Sequence, residues 1–466
     1  MENTRRSFIK KMTAVGLGTT GLAAMGTTAN AEVTKTTTKQ RTVGKDAGKL
    51  RFGFIGTGSR CHEHINNVLS IGENKIVAIC DIQQGPIERT LKHIAKFNVT
   101  APKVYTGSDH AFEKMLNNEE FDCIIIASPW EWHTYMAVAA MKAGVPYVGV
   151  EVSAANCLQE CWDLVNVSES TGSHLQIMEN VCYRRDVMAV MNMTRAGLFG
   201  ELLHARCGYE HDLRSIKFND GTSYSYEEGH ELKMGKEAYA EAQWRTNHSV
   251  HRNGDLYPTH GTGPVAECLD INKGNRFMSI SSMATQSRGL HKFVEDHGGA
   301  DHPLAKVHFN CGDIVVSQIH CANGQTILVT HDTNAPRPYS LNFRIQGTEG
   351  LWMKDGDHMY IEGKSKPHRW DNSQKWLDQY DHKLWRDLGE KASAAGHGGM
   401  DYIMMADLLH AIRDGRPTPI DCYDAAAWSA ISGLSEQSVA RGGALVDFPD
   451  FTRGQWINRK NEFGTF

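Results

Sequence analysis

Between residues 50 and 150 short apolar runs alternate with helix-length segments, and this alternation constrains the fold more than any other feature of the chain. A run at 50–55 ends in Gly56-Thr57-Gly58-Ser59-Arg60 and passes into a helix, and a second run, 76–80, ends in Asp81. A further helix, a buried strand at 121–127, a helix at 133–143 and a strand at 147–150 continue the series. Strands linked through helices lie parallel in one sheet, so the pattern predicts an α/β chain whose first part is a doubly wound parallel sheet. Such sheets hold ligands outside the carboxyl ends of their strands. The residues that follow each strand are therefore the first site candidates.

Gly56 and Gly58 stand directly between a strand and a helix, where missing side chains let backbone N–H groups approach a pyrophosphate at the helix N-terminus. Cys61 occupies the place of the third glycine of a dinucleotide fingerprint, and a tight strand-to-helix turn is the other reading of the pair. Asp81 separates the two. A carboxylate at the end of the second strand accepts from ribose hydroxyls and repels a 2′-phosphate, which predicts a Rossmann sheet that binds NAD rather than NADP. Ser128-Pro129-Trp130-Glu131-Trp132-His133 follows a strand at the same edge, and there the aromatic residues either line a ligand or cover a helix start. Glu151 is either a helix cap or a cofactor contact.

After about residue 175 the pattern changes to longer polar stretches and to strands with alternating residues, at 307–310, 313–320 and 326–330. These suit an α+β part with a large, mostly antiparallel sheet covered on one face. An amphipathic helix is expected over 401–413, closed by Asp414-Gly415-Arg416-Pro417, and another over 425–441. The segments 180–183 and 253–261 combine polar and aromatic groups with Gly and Pro, as functional loops do. There His260 and Tyr257 can exchange protons, and Arg245 can orient a polar substrate. Tyr339 reads equally as a packing residue or a ligand contact.

The N-terminus carries Thr4-Arg5-Arg6-Ser7-Phe8-Ile9-Lys10, an uncharged stretch at 12–25 and Ala29-Asn30-Ala31, the order of a twin-arginine export signal. The expected organisation is a signal at 1–31, a linker at 32–48, an NAD-binding domain at 49–175 and a substrate domain at 176–466. The destination is the periplasm or cell surface, reached already folded. A cofactor-dependent protein sent there leaves the soluble NAD pool behind, which favours chemistry that restores its cofactor every turnover. No later apolar run nears the roughly 20 residues of a membrane span. Losing Glu2, Arg5, Arg6, Lys10 and Lys11 takes the formal charge from -5 to about -8, which argues against nucleic acid as a partner. The 11 cysteines form no CxxC pair and read as small core residues, and the 23 histidines show no metal-ligand spacing, so no metal is expected.

Together the GTGSR turn, Asp81, the 130–133 segment and Glu151-Val152-Ser153 resemble the glucose-fructose oxidoreductase and inositol dehydrogenase superfamily. Within it, Trp130-Glu131-Trp132-His133, Asn180-x-x-Tyr183, Gly208-Tyr209-x-His211-Asp212-Leu213-Arg214 and the run from Asn253 to Gly261 resemble glycoside hydrolase family 109, NAD-dependent α-N-acetylgalactosaminidases. The resemblance implies NAD contacts from Ser59, Arg60, Asp81, Trp130, Glu131, Trp132, His133, Glu151, Val152, Asn180 and Tyr257. It implies substrate contacts from Tyr209, Arg245, Tyr257, Pro258, Thr259, His260 and Tyr339. Glu151-Val152-Ser153 stands where many dehydrogenases of the superfamily have Glu-Lys-Pro, so the lysine that often serves as their acid/base is missing and proton transfer falls to tyrosine and histidine.

The expected activity is removal of a terminal α-linked N-acetylgalactosamine from a glycan by oxidation at C3, elimination, addition of water and reduction, with NAD regenerated. Tyr183, His260 and Glu151 are the expected catalytic residues, with Tyr183 near C2 and His260 at the C3 hydroxyl. The alternative is an exported sugar oxidoreductase that recycles tightly held NAD between two sugars. A homo-oligomer is compatible with either.

Overall fold

The alternating part of the chain forms a six-stranded parallel sheet in the computed structural model, which describes residues 48–222 and 230–465. The expected export signal and all but the last residue of the expected linker lie outside the described residues. The strands are β1 (Leu50–Ile55), β2 (Asn74–Cys80), β3 (Lys103–Tyr105), β4 (Cys123–Ile126), β5 (Tyr147–Val150) and β6 (His174–Ile177). Their order, β3-β2-β1-β4-β5-β6, starts in the middle, runs outward and then crosses back to the other side. The carboxyl ends of β1 and β4 diverge at that reversal, where doubly wound sheets open a ligand crevice. Phe52, Phe54, Ile124, Ile125, Ile126, Val148 and Val150 are all buried, which accounts for runs without polar alternation. Each such side chain contributes roughly 1.5–3 kcal/mol by leaving water. The helix expected at 133–143 starts earlier, at Trp130, directly after Pro129, whose carbonyl accepts from the Trp132 amide at 3.0 Å.

A second sheet has nine strands in the order β14-β13-β12-β11-β7-β10-β9-β8-β15. They are β7 (Leu202–Glu210), β8 (Phe277–Ala284), β9 (Ile314–Cys321), β10 (Thr326–Asp332), β11 (Arg344–Gly347), β12 (Gly350–Met353), β13 (His358–Ile361), β14 (Asp371–Asn372) and β15 (Val446–Asp447). Only β7 and β10 pair in parallel. Along β9 buried Val315, Ser317, Ile319 and Cys321 alternate with exposed Val316, Gln318 and His320, so one face is covered. Thr259–Cys268 packs on β7 from the covered side and Cys422–Ala440 on β8. The latter helix also packs against Leu158–Thr171 and β6. Just before it the chain borders the outer strand of the first sheet, where Thr418 donates to the Leu175 carbonyl at 2.6 Å and the Ile177 amide donates to the Ile420 carbonyl at 3.2 Å. That contact occupies an edge that would otherwise present open backbone groups.

Two expectations about elements are corrected. Residues 307–310 form no strand. Phe309 instead joins Phe218, Leu290, Phe293 and Val294 in a small separate core, while the Cys311 amide turns to the Ser249 carbonyl. The helix expected at 401–413 exists as Met400–Asp414, but it is buried on nearly every side. Three neighbours enclose it, namely Ser59–Ser70, Lys383–Ser393 and the turn Asn180–Tyr183. All 11 cysteines are free and only Cys157 is exposed, as their apolar contexts imply. Among the described residues no helix is long and apolar enough to cross a membrane.

One contact fixes the second part against itself. A Cβ placed on Gly261 would lie 2.7 Å from the Gly208 nitrogen, so the helix Thr259–Cys268 approaches β7 as closely as two glycines permit. Gly261→Ala is therefore expected to destabilise the protein by about 1–3 kcal/mol through overpacking. Gly433→Ala has its nearest foreign atom at 3.6 Å and lies inside a helix. It should be neutral or stabilising by up to about 1 kcal/mol. Urea titrations of the two variants check the opposite signs.

Candidate active site

A cavity of about 690 Å³ runs from Asp81 and Gly58 past Glu151 and Asn180 to Tyr209, Tyr257, His260 and Tyr339. At its first end Gly56 has φ +84, and a Cβ there would meet the Ala127 carbonyl at 2.5 Å, so only glycine fits the turn. Gly58 has no atom within 4 Å of an added Cβ, which leaves open space over the start of Ser59–Ser70. That helix carries no side-chain cap and no acidic residue in its first turn, as an anion-binding N-terminus requires. Asp81 accepts from the Thr57 amide at 2.7 Å, the Thr57 hydroxyl at 3.0 Å and the Gln83 amide at 2.9 Å, which fixes its carboxylate and leaves one lone pair for a ribose hydroxyl. Asn180 donates to Asp401 at 2.7 Å, while its buried carbonyl oxygen has no protein partner. An unpartnered acceptor in the wall suits a carboxamide donor such as that of nicotinamide. These features fit a bound dinucleotide.

Arg60 and Glu151 meet in the middle of the cavity. Arg60 Nε donates to Glu151 Oε1 at 2.6 Å, and its Nη1 and Nη2 grip Asp401 at 2.7 and 2.9 Å. His64, fully buried, lies 2.6 Å from the same Glu151 oxygen. Burial alone would push the Glu151 carboxyl up, but Arg60 and His64 outweigh it and hold it at about 2. Glu151 is thus a fixed negative charge at neutral pH rather than a group that shuttles protons. Nearby His397, 2.8 Å from both Asp401 and Glu63, is raised to about 10 by hydrogen bonds to those carboxylates.

An aromatic box encloses the far end. Trp130 and Tyr257 stack at 5.3 Å, Tyr209 and Tyr257 meet at 4.7 Å, and Tyr209 approaches the His260 ring edge-on at 5.4 Å. The Arg245 guanidinium lies 4.8 Å from the Tyr257 ring centre and 5.0 Å from that of Trp130, within cation–π range. Burial opposes its charge, but the ion pair with Glu241 and the surrounding tyrosines keep it above the ordinary arginine value. His260 Nδ1 sits 2.7 Å from Oε1 of Glu179, a fully buried carboxylate. The Tyr209 hydroxyl is 3.1 Å from His211 Nδ1. Burial raises the Tyr209 pKa and Arg245 draws it back, while burial and Arg245 keep His211 neutral and able to accept.

Most of the sequence candidates reach this cavity. Gly56, Gly58, Ser59, Arg60, Asp81, Trp130, His133, Glu151, Val152, Asn180, Tyr209, Arg245, Tyr257, His260 and Tyr339 all line it. Others do not. Tyr183, expected near the sugar, is fully buried outside the lining and donates its hydroxyl to Asp407 at 2.9 Å. The short turn Asn180–Tyr183 carries Asn180 into the cavity wall and Tyr183 into the core. Glu131 pairs with His248 at 3.6 Å, and Trp132 packs on His110 and Tyr135. Pro258 and Thr259 are buried at the start of the helix that presents His260. Sequence reasoning missed His64, Glu179 and Asp401, and it noted His211 only as part of a family motif, with no role. Glu179 follows β6 at the ligand-bearing sheet edge, the same signal that singled out Glu151, whereas Asp401 has no local signal.

Residues 183–458 match the model of the glycosyl hydrolase 109 C-terminal domain, and residues 50–178 match the oxidoreductase family with an NAD-binding Rossmann fold. A glycosyl hydrolase family 109 protein of Parabacteroides distasonis is 74% identical over 99% of this chain and 100% of its own. An alpha-N-acetylgalactosaminidase of Tannerella forsythia is 72% identical, again over 99% of this chain and 100% of its own. Among solved structures, levoglucosan dehydrogenase in complex with NADH has a TM-score of 0.63 at 19% identity, covering 86% of this chain and 100% of that one, which establishes a shared fold. The first sheet is therefore an NAD-binding one, and the chain belongs to glycoside hydrolase family 109.

Proposed function

We propose that this protein is an exported α-N-acetylgalactosaminidase that removes terminal N-acetylgalactosamine by oxidation, elimination, addition of water and reduction. The observation that carries this reading is the pair of proton-transfer groups side by side in the aromatic box, Tyr209 backed by His211 and His260 backed by Glu179. Among the described residues, carboxylates offer no alternative pair. Of the three that line the cavity, Asp81 lies at the cofactor end, Glu151 is held by Arg60 and His64, and Glu241 is tied to Arg245. A two-carboxylate glycosidase needs one protonated acid and one free base or nucleophile across the scissile bond.

NAD, when bound, supplies a hydride acceptor that later returns the hydride, so it ends each turnover as it began. His260 takes the C3 hydroxyl proton through Nε2, with Glu179 fixing the ring and balancing the charge it gains. A carbonyl at C3 acidifies the neighbouring C2 hydrogen. Tyr209 removes that hydrogen, helped by His211 as acceptor of its phenolic proton and by the Arg245 charge that favours phenolate. Tyr183 has no part in this step, which moves to Tyr209 the role expected of Tyr183 from the sequence. Glu151 keeps a negative charge in the middle of the cavity, and the Trp130–Tyr257 stack gives the sugar an aromatic wall.

Turnover in deuterated water should place deuterium at C2 of the released sugar, detected by mass spectrometry. Tyr209→Phe and His260→Ala should lower kcat by roughly 10²- to 10⁴-fold, the usual contribution of a positioned acid or base. NAD should stay bound in both. Tyr183→Phe should leave kcat within a few fold and cost about 1–3 kcal/mol of stability, because a buried Asp407 oxygen loses its donor. Product without C2 deuterium, or a Tyr183→Phe variant as inactive as Tyr209→Phe, would overturn this mechanism. A requirement for a second sugar as hydride acceptor would favour the oxidoreductase reading instead.

Export with a resident cofactor makes a separate expectation. Protein purified from the periplasm or cell surface should release near-stoichiometric NAD on denaturation, and Asp81→Ala should release little. Arg5→Lys combined with Arg6→Lys should hold the chain in the cytoplasm, still loaded with NAD. Cell fractionation tests this, and normal export of the double variant would contradict it.

A further inference from the structure

A second cavity of about 580 Å³ adjoins the first, and Tyr339, His397 and Met400 line both. Its volume lies within the 300–1,000 Å³ range of small-molecule sites. The first cavity must accommodate a dinucleotide and one sugar ring, so whatever is attached to that ring continues beyond its wall. Tyr339 marks a route outward, since it borders the aromatic box through His211 at 4.9 Å, stands at the boundary of both cavities and is 49% exposed.

The wall of the second cavity has the chemistry of hydroxyl recognition. Arg184 is clamped on Asp186 by two hydrogen bonds, of 3.0 and 2.7 Å, which leaves Nη1 of its planar fork without a hydrogen bond in this pair. Lys354 bridges Asp357 at 2.8 Å and Asp186 at 3.5 Å, and Gln374 is held by its bond to Asp378 at 2.7 Å. Donors fixed before a ligand arrives spare part of the ordering cost of binding. Every cation of this wall has a carboxylate partner, since Arg185 pairs with Asp381 and His397 with Asp401. With the positive charge balanced, an anionic ligand gains little, whereas hydroxyl groups find donors and acceptors in abundance.

We propose that this second cavity is a subsite for a neutral sugar residue on the leaving-group side of the scissile bond. The proposal rests on the glycosidase reading above and adds that the natural substrate is an oligosaccharide recognised beyond its terminal residue. The test uses the purified full chain with two substrates, an aryl α-N-acetylgalactosaminide and a neutral oligosaccharide capped by the same α-linked sugar. Lys354→Ala combined with Gln374→Ala should lower kcat/KM for the oligosaccharide about 10-fold, the scale of losing one or two hydrogen bonds. The aryl glycoside should change by less than about twofold. Equal losses on both substrates, or none on either, would overturn the subsite.

A second measurement does not depend on turnover. The uncapped neutral oligosaccharide, which lacks the terminal N-acetylgalactosamine, should bind the wild-type protein by ligand-observed NMR and not bind the double variant. A sulfated or sialylated counterpart should bind no better. Absence of binding to wild type, or stronger binding of the anionic counterpart, would overturn the assignment while leaving activity on the aryl glycoside intact, so its failure is distinct from failure of the glycosidase reading.

Discussion

The partly buried guanidinium of Arg60 holds together parts of the chain that are far apart in sequence. It grips Glu151 at the end of β5 and Asp401 at the start of a late helix, while Asp401 in turn orients Asn180 after β6. Removing one partner from a fully buried pair typically costs about 3–5 kcal/mol, which is an upper bound here because the Arg60 side chain keeps 26% of its surface exposed. The same contacts set the electrostatics of the cavity. Glu151 is negative because Arg60 and His64 make it so, and the free oxygen of Asn180 is positioned because Asp401 takes its amide. Stability of the junction and readiness of the cofactor site are therefore one property.

At the sugar end the governing constraint is desolvation. Arg245, Tyr209 and Tyr257 are all buried, and a cation among three aromatic rings in low dielectric acts more strongly than it would in water. The hydroxyl of Tyr209 feels opposing effects, since burial disfavours its anion and Arg245 favours it. Close packing keeps those distances fixed. The approach of Gly261 to Gly208 sets the helix bearing His260 directly on the strand bearing Tyr209. Two small residues that carry no chemistry thus determine how far apart Tyr209 and His260 stand.

The first sheet was legible because its signal is local. Uninterrupted apolar runs, a Gly-x-Gly turn and an acid after the second strand are each contained in a few residues, and β1 and β5 have the predicted bounds. The second sheet was legible in class but less so in detail. Alternation at 307–310 mimicked a strand, although only Phe309 of that stretch is buried. The amphipathic reading of 401–413 failed for a different reason, since period alone does not reveal how many neighbours a helix will have. Within the candidate site, residues picked out because they follow strands line the cavity, as does Tyr209 at the end of β7, which was expected as a substrate contact. Tyr183 misled because proximity to Asn180 in sequence says nothing about direction in a tight turn, where successive side chains point different ways.

Fixed charges separate this cavity from that of an ordinary glycosidase. A carboxylic acid that protonates a leaving group has its pKa raised by its surroundings. Here Glu151 is driven the other way, to about 2. Buried carboxyls with raised values, among them Asp255, Asp407 and Glu267 at about 7, lie outside the cavity lining, where Asp255 accepts the Tyr257 amide, Asp407 the Tyr183 hydroxyl and Glu267 the Lys273 ammonium. These raised carboxyls stand apart from the cavity, which supports the proposed proton transfer by tyrosine and histidine. Such groups suit C–H and O–H bonds beside a carbonyl better than direct protonation of a glycosidic oxygen. The mechanism proposed above depends on a redox cofactor that stays in place, and in it the Arg60 junction would provide the floor on which that cofactor is held.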